Sequence, residues 1–204
     1  METSLKKLTR EQVDSYRSQG YAAPVRVFSA AEAAGFRARL EASERALGSK
    51  LMDYPAMPRV FAKSHLMFTW VDEIVRHPAI LDAVEDLIGP NILVLHNNVF
   101  VKEAGSRTFV TWHQDGCYNS IQPAEVVTTW VALSPSTAQT GCMKILPRSH
   151  KVGLMVHTDE KNADNILSRG SSDRNPSKNF SRVQVEQGYI GLVARHRYRA
   201  FQCK

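Results

Sequence analysis

The run Thr111-Trp112-His113-Gln114-Asp115-Gly116 holds the residues best suited to chemistry in this 204-residue chain. It lies in a stretch that alternates like a β-strand. His113 and Asp115 are two positions apart, so on a strand both project from one face. An imidazole and a carboxylate converging there supply two ligands of a 2-His-1-carboxylate site. That ligand set leaves coordination positions open and marks non-haem Fe(II) oxygenases. A second histidine from later in the chain must complete it. The triplet recurs by chance in many sequences, so its surroundings decide.

Those surroundings divide into an N-terminal helical part and a β-rich body. Thr9-Arg10-Glu11-Gln12 and Ser29-Ala30-Ala31-Glu32 both fit a capping box. They predict helices that end near Gly20 and Gly48, where glycine can take the left-handed cap conformation. Tyr21 to Phe28 reads as a short strand between them, and Met52 to Lys63, with Pro55 and Pro58, as a loop. Two short helices follow, Val71–Arg76 and Ala79–Ile88, with Pro78 at the first turn of the second and Gly89-Pro90 stopping it. Beyond Pro90, five segments are short, rich in β-branched or aromatic residues and bounded by turn residues. They are Ile92–Val101, Thr108–Gln114, Glu125–Leu133, Met143–Leu146 and Arg182–Glu186. The polar stretch Leu154 to Phe180 reads as a long loop, of the length that serves as a lid or is a disordered segment. This order suits one mainly β domain over residues 1–204, with N-terminal helices packed on a double-stranded β-helix, or jelly roll.

Composition excludes several classes. Hydrophobic residues make up 43% and charged residues 23%, which fits a globular domain rather than a disordered one. No apolar run is long enough to cross a bilayer, and the N-terminus lacks the apolar core of a signal peptide, so a cytoplasmic protein with no membrane partner is expected. Cys117, Cys142 and Cys203 are odd in number and show no CxxC spacing, so neither a disulfide framework nor a zinc site is implied. Cys117 reads as a small buried thiol. The net charge is +6, but four of those charges sit in the last sixteen residues, at Arg195, Arg197, Arg199 and Lys204. The remaining basic residues are scattered, which argues against a nucleic-acid partner.

The segments around His113 resemble one family. Asn98-Val99-Phe100-Val101-Lys102 precedes the His-Gln-Asp triplet, and Thr128-Thr129-Trp130-Val131-Ala132-Leu133 follows it. Then comes Thr140-Gly141-Cys142-Met143-Lys144-Ile145-Leu146-Pro147-Arg148-Ser149-His150-Lys151. The succession, over about residues 8–188, resembles the phytanoyl-CoA dioxygenase family of Fe(II)/2-oxoglutarate oxygenases. The resemblance implies a jelly-roll core and Fe(II) held by His113, Asp115 and a distal histidine. It implies 2-oxoglutarate as cosubstrate with O2, decarboxylated to succinate while a small molecule or acyl thioester is hydroxylated. Lys102 matches a position that contacts cosubstrate or substrate. Trp130, with Thr129 beside it, matches positions lining the 2-oxoglutarate pocket. Each also has a plainer reading, Trp130 as core and Lys102 as a solvated strand-end charge. Asp115 stands where related halogenases carry Gly or Ala, which favours hydroxylation. His150 reads as a turn residue, and His65, His77, His96 and His157 match no ligand position.

The pattern breaks after Gly188. The family continues with a distal histidine and, about a dozen residues on, an arginine that grips the far carboxylate of 2-oxoglutarate. Here His196 is the only histidine in residues 189–204, 83 positions after His113 and flanked by two arginines that oppose a dication. His196 is the candidate third ligand, within a segment that reads as an atypical tail; a shifted reading frame from Leu192 onward would account for its composition. The rival expectation is a non-catalytic jelly-roll binding protein without a complete triad.

Overall fold

Both capping boxes form. In α1 (Arg10–Gln19) the Thr9 hydroxyl accepts from the Gln12 backbone N–H, and the Gln12 amide oxygen accepts from the Thr9 N–H. Ser29 and Glu32 make the same exchange at the start of α2 (Ala30–Leu47). Gly20 and Gly48 end these helices in the left-handed conformation. The next helices are α3 (Thr69–Val75) and α4 (Pro78–Ile88), with the His77 ring nitrogen accepting from Ala79 N–H ahead of Pro78. This computed structural model describes residues 4–51, 63–118, 126–157, 164–167 and 180–194, and the backbone of 198–202.

Two antiparallel sheets follow. β1 (Tyr21–Arg26), β6 (Tyr189–Ala194) and β3 (Val127–Val131) form one, in the order β1-β6-β3. β2 (Phe109–Gln114), β7 (Tyr198–Gln202), β4 (Met143–Ile145) and β5 (Ser181–Val183) form the other, in the order β2-β7-β4-β5. Two apolar clusters define three layers. Ala22, Val25, Ile190 and Leu192 of the first sheet pack with Trp70, Val71, Ile80 and Val84 of the helices. Ala132 and Val193 of the same sheet pack with Met143, Ile145 and Val183 of the other. Alternation along each strand assigns its side chains to one layer or the other.

Of the stretch after Gly188, which sequence alone reads as an atypical tail, residues 189–194 and the backbone of 198–202 lie within this architecture. β6 is the central strand of its sheet, and Ile190, Leu192 and Val193 are buried. It meets helices on one face and the second sheet on the other, which explains its continuous apolar run. β7 lies between β2 and β4. Gly188 sets the entry to β6. Its φ is +86°, its N–H donates to Ala132 O, and its carbonyl accepts from both Val27 and Phe28 N–H. A Cβ there would stand 2.6 Å from Phe28 O, so only glycine fits without backbone movement.

One predicted strand is absent. Ile92–Val101 forms only an isolated bridge, Asn97 with Lys63, and Leu93, Val94, Leu95 and Phe100 are exposed. A β-branched sequence becomes a strand only when a ladder partner takes its N–H and C=O groups. Within the long polar stretch, Gly153–His157 and Asp164–Ile166 line the edge of β2 that faces away from β7. The predicted loop over residues 52–62, and the greater part of the stretch up to Phe180, lie outside the described residues.

Candidate metal centre

His113 is the fifth residue of β2, and Asp115 opens a short 3-10 turn, Asp115–Tyr118, that ends the strand. The two are therefore not on one strand, as the spacing alone implied, yet they still converge. His113 Nε2 lies 3.3 Å from Asp115 Oδ1. Two donors about 2.1 Å from one ion and at right angles about it stand about 3 Å apart. The pair is thus spaced as neighbouring ligands of a single metal.

Hydrogen bonding settles which imidazole nitrogen is available. His113 Nδ1 lies 2.9 Å from Thr111 O. A carbonyl only accepts, so Nδ1 carries the proton, and Nε2 is the nitrogen turned to the carboxylate. A lone pair facing a carboxylate oxygen is repulsive unless a cation, either a proton or a metal ion, lies between them. His113 is 4% exposed, so water screens this contact poorly. The Tyr118 ring stands edge-on to the imidazole, centroids 6.1 Å apart.

The opposite sheet supplies the carboxylate's second partner. Thr128, on β3, donates from Oγ1 to Asp115 Oδ2 at 2.6 Å. Thr128 and Trp130, with Ala132 just past the strand's end, share the face of β3 turned toward the second sheet. Thr129 falls on the other face with Val127 and Val131, which pack on the helical layer. The threonine whose hydroxyl reaches Asp115 is Thr128, the neighbour of the Thr129 that the resemblance assigns to the cosubstrate pocket.

The free edge of β2 is closed by side chains. Thr111 N–H donates to Asn165 Oδ1, and Gln114 N–H donates to His157 Nε2 at 3.0 Å. His157 Nδ1 donates to Met155 O, so neither of its nitrogens is left to bind a metal. The fully buried Gln114 side chain donates to Gly153 O and accepts from Met155 N–H. The strand that carries His113 is thereby fixed on both edges, by β7 and by this segment. Sequence reasoning missed these roles, because acceptors so distant in sequence leave no local signal.

His65, His77 and His150 make structural hydrogen bonds. His65 bonds Asn97, His77 caps α4, and His150 Nε2 donates to Arg17 O. Among the described residues no set of three His, Cys, Asp or Glu side chains gathers to hold a metal. His196 lies outside the described residues. The described chain resumes at Tyr198, which pairs with Gln114, and Arg199 pairs with His113.

The family Phytanoyl-CoA dioxygenase (PhyH) matches residues 16–192. The chain belongs to the phytanoyl-CoA dioxygenase family. It is 28% identical to the peroxisomal phytanoyl-CoA dioxygenase of Homo sapiens over 201 residues, covering 89% of this chain and 60% of that protein. It spans about 60% of the length of the curated relatives it matches first. Among solved structures, the non-heme monooxygenase ThoJ in its apo form aligns with a TM-score of 0.79 at 30% identity, over 95% of this chain and 71% of that one. CytC3, solved with Fe(II) and alpha-ketoglutarate, aligns with a TM-score of 0.65 at 22% identity, over 98% of this chain and 72% of that one, a likeness of fold.

The remaining residues that the resemblance singles out are placed as follows. Trp130 lies across from Gly191 of β6 and packs, half-buried, on the inter-sheet cluster that includes Met143 and Ile145. The Lys102 ammonium is buried. Its charge is felt at Cys142, where burial pushes the thiol up while Arg182, Lys144 and Lys102 oppose that rise. Cys117 is half-buried in the turn after Asp115, and Cys142 is buried.

Proposed function

We propose that the chain is an Fe(II)- and 2-oxoglutarate-dependent dioxygenase that hydroxylates a small molecule or acyl thioester with O2. One observation carries the reading: a buried Nε2 3.3 Å from a carboxylate oxygen, with Nδ1–H committed to a backbone carbonyl. In this reading the two sheets are the halves of a double-stranded β-helix, and the centre lies between them. His113 and Asp115 hold the ion from the end of β2. His196 is the third ligand, and β7, which starts two residues after it, pairs with that same strand. Chelated Fe(II) with 2-oxoglutarate supplies the oxidising power for an unactivated C–H bond.

This chain's own residues prepare the site. Thr111 O fixes the imidazole tautomer. The carboxylate partly neutralises the ion and, by standing where halogenating relatives lack a carboxylate, favours hydroxylation. Burial between the sheets limits water. Lys102 and Trp130 are proposed to line the cosubstrate pocket, Lys102 as a cation for its carboxylates.

Anaerobic titration with Fe(II) and 2-oxoglutarate tests the reading. A visible charge-transfer band of a chelated keto acid is expected, and it should vanish in His113→Ala and in His196→Ala. A folded protein that gives no band would instead indicate a non-catalytic binding protein.

A further inference from the structure

We infer that the Thr128 hydroxyl is a positioning group that holds the Asp115 carboxylate in the orientation in which one oxygen stands beside His113 Nε2 to receive the metal. The inference rests on the Fe(II) reading above and deepens it.

The two oxygens of Asp115 have different neighbours. Oδ1 faces His113 Nε2 at 3.3 Å, at the spacing of adjacent ligands. Oδ2 accepts the Thr128 hydroxyl at 2.6 Å, within the roughly 2.5–2.7 Å range of hydrogen bonds to ionised carboxylates. The oxygen bonded to Thr128 is thus not the one that faces His113 Nε2. A carboxylate free to turn would hold neither oxygen steadily at that spacing, and the pair would bind a metal more weakly.

The support behind Thr128 is rigid. Its branched Cβ restricts χ1, and it pairs with Val193 of β6, which is buried. The hydroxyl therefore comes from the sheet opposite the one that carries His113. The carboxylate is held between the two layers, by its own turn after β2 and by β3. No alternation rule identifies such a residue, because the contact joins elements of different sheets.

Metal binding read by calorimetry with Fe(II) under anaerobic conditions, and with Co(II), tests the role without relying on turnover. Thr128→Val keeps the branched shape and removes the donor; Thr128→Ala removes both; Thr128→Ser keeps the donor. His113→Ala is the control. The expected result is a 10- to 100-fold loss of metal affinity, about the effect of removing a partner of a ligand, in the Val and Ala variants. The Ser variant should stay near the parent. Melting of each metal-free protein separates this from a structural role: a lowered melting temperature with unchanged metal affinity would overturn the inference. So would equal affinity in the parent and both donor-less variants, which leaves the iron site itself intact. If the parent shows no saturable binding that His113→Ala removes, the iron reading falls and this inference with it.

Discussion

At the scale of single residues, the centre depends on atoms whose hydrogen-bonding roles are fixed. His113 has one nitrogen committed and one available. His157 has both committed and is no ligand, although it is joined to the residue next to His113. His113→Ala should therefore abolish metal uptake, while His157→Ala should leave a ligand set that still binds, with reduced stability because Gln114 N–H loses its acceptor. Calorimetry and thermal melts separate the two. Gln114→Ala removes a buried amide that serves two backbone groups. Leaving them unpaired should cost about 1–3 kcal/mol, measured as a shift in denaturation midpoint with unchanged slope.

At the scale of elements, the sheets are positioned by a few junctions. Gly188 joins the helical layer to β6 and β3 through three backbone hydrogen bonds. Gly188→Ala places a Cβ against Phe28 O and forces a non-glycine residue to a φ of +86°. A loss of roughly 2 kcal/mol or more is expected, visible as a lowered melting temperature. Asp86 on α4 plays a comparable part at the N-terminus. Its carboxylate accepts from the backbone N–H groups of Lys6, Lys7 and Leu8, each at 2.8 Å. Asp86→Ala should release that segment, read as faster amide exchange over residues 6–8 while the centre between the sheets keeps its metal affinity.

At the scale of the whole molecule, charge tunes stability without building the site. Glu32 is held below its ordinary 4.5 first by the Ser29 backbone N–H and then by the Ser29 hydroxyl. Glu73 is held below it by hydrogen bonding and charge from Arg39. A depressed carboxylate contributes stability above its unfolded value, and that contribution is lost as pH falls through the folded value. The fold should therefore weaken on acidification below about pH 4.5. Both groups are solvent-exposed, so the effect is shallow, and salt should reduce the Arg39–Glu73 part of it. Denaturation midpoints across pH, for the parent and for Glu73→Gln at low and high salt, check the sign.

The sequence by itself determined the capped helices, the convergence of His113 and Asp115, and the family. Caps are local: Thr9 with Gln12 and Ser29 with Glu32 complete their bonds within four residues, so their spacing is their structure. His113 and Asp115 were legible for the same reason, although a 3-10 turn rather than a strand brings them together. Tertiary structure alone decided the rest. β6 and β7 are strands because β1, β3, β2 and β4 take their backbone groups, while the equally strand-like Ile92–Val101 forms only an isolated bridge. Thr128 rather than Thr129 meets the carboxylate because the register of β3 on β6, not its composition, sets which face turns toward the second sheet.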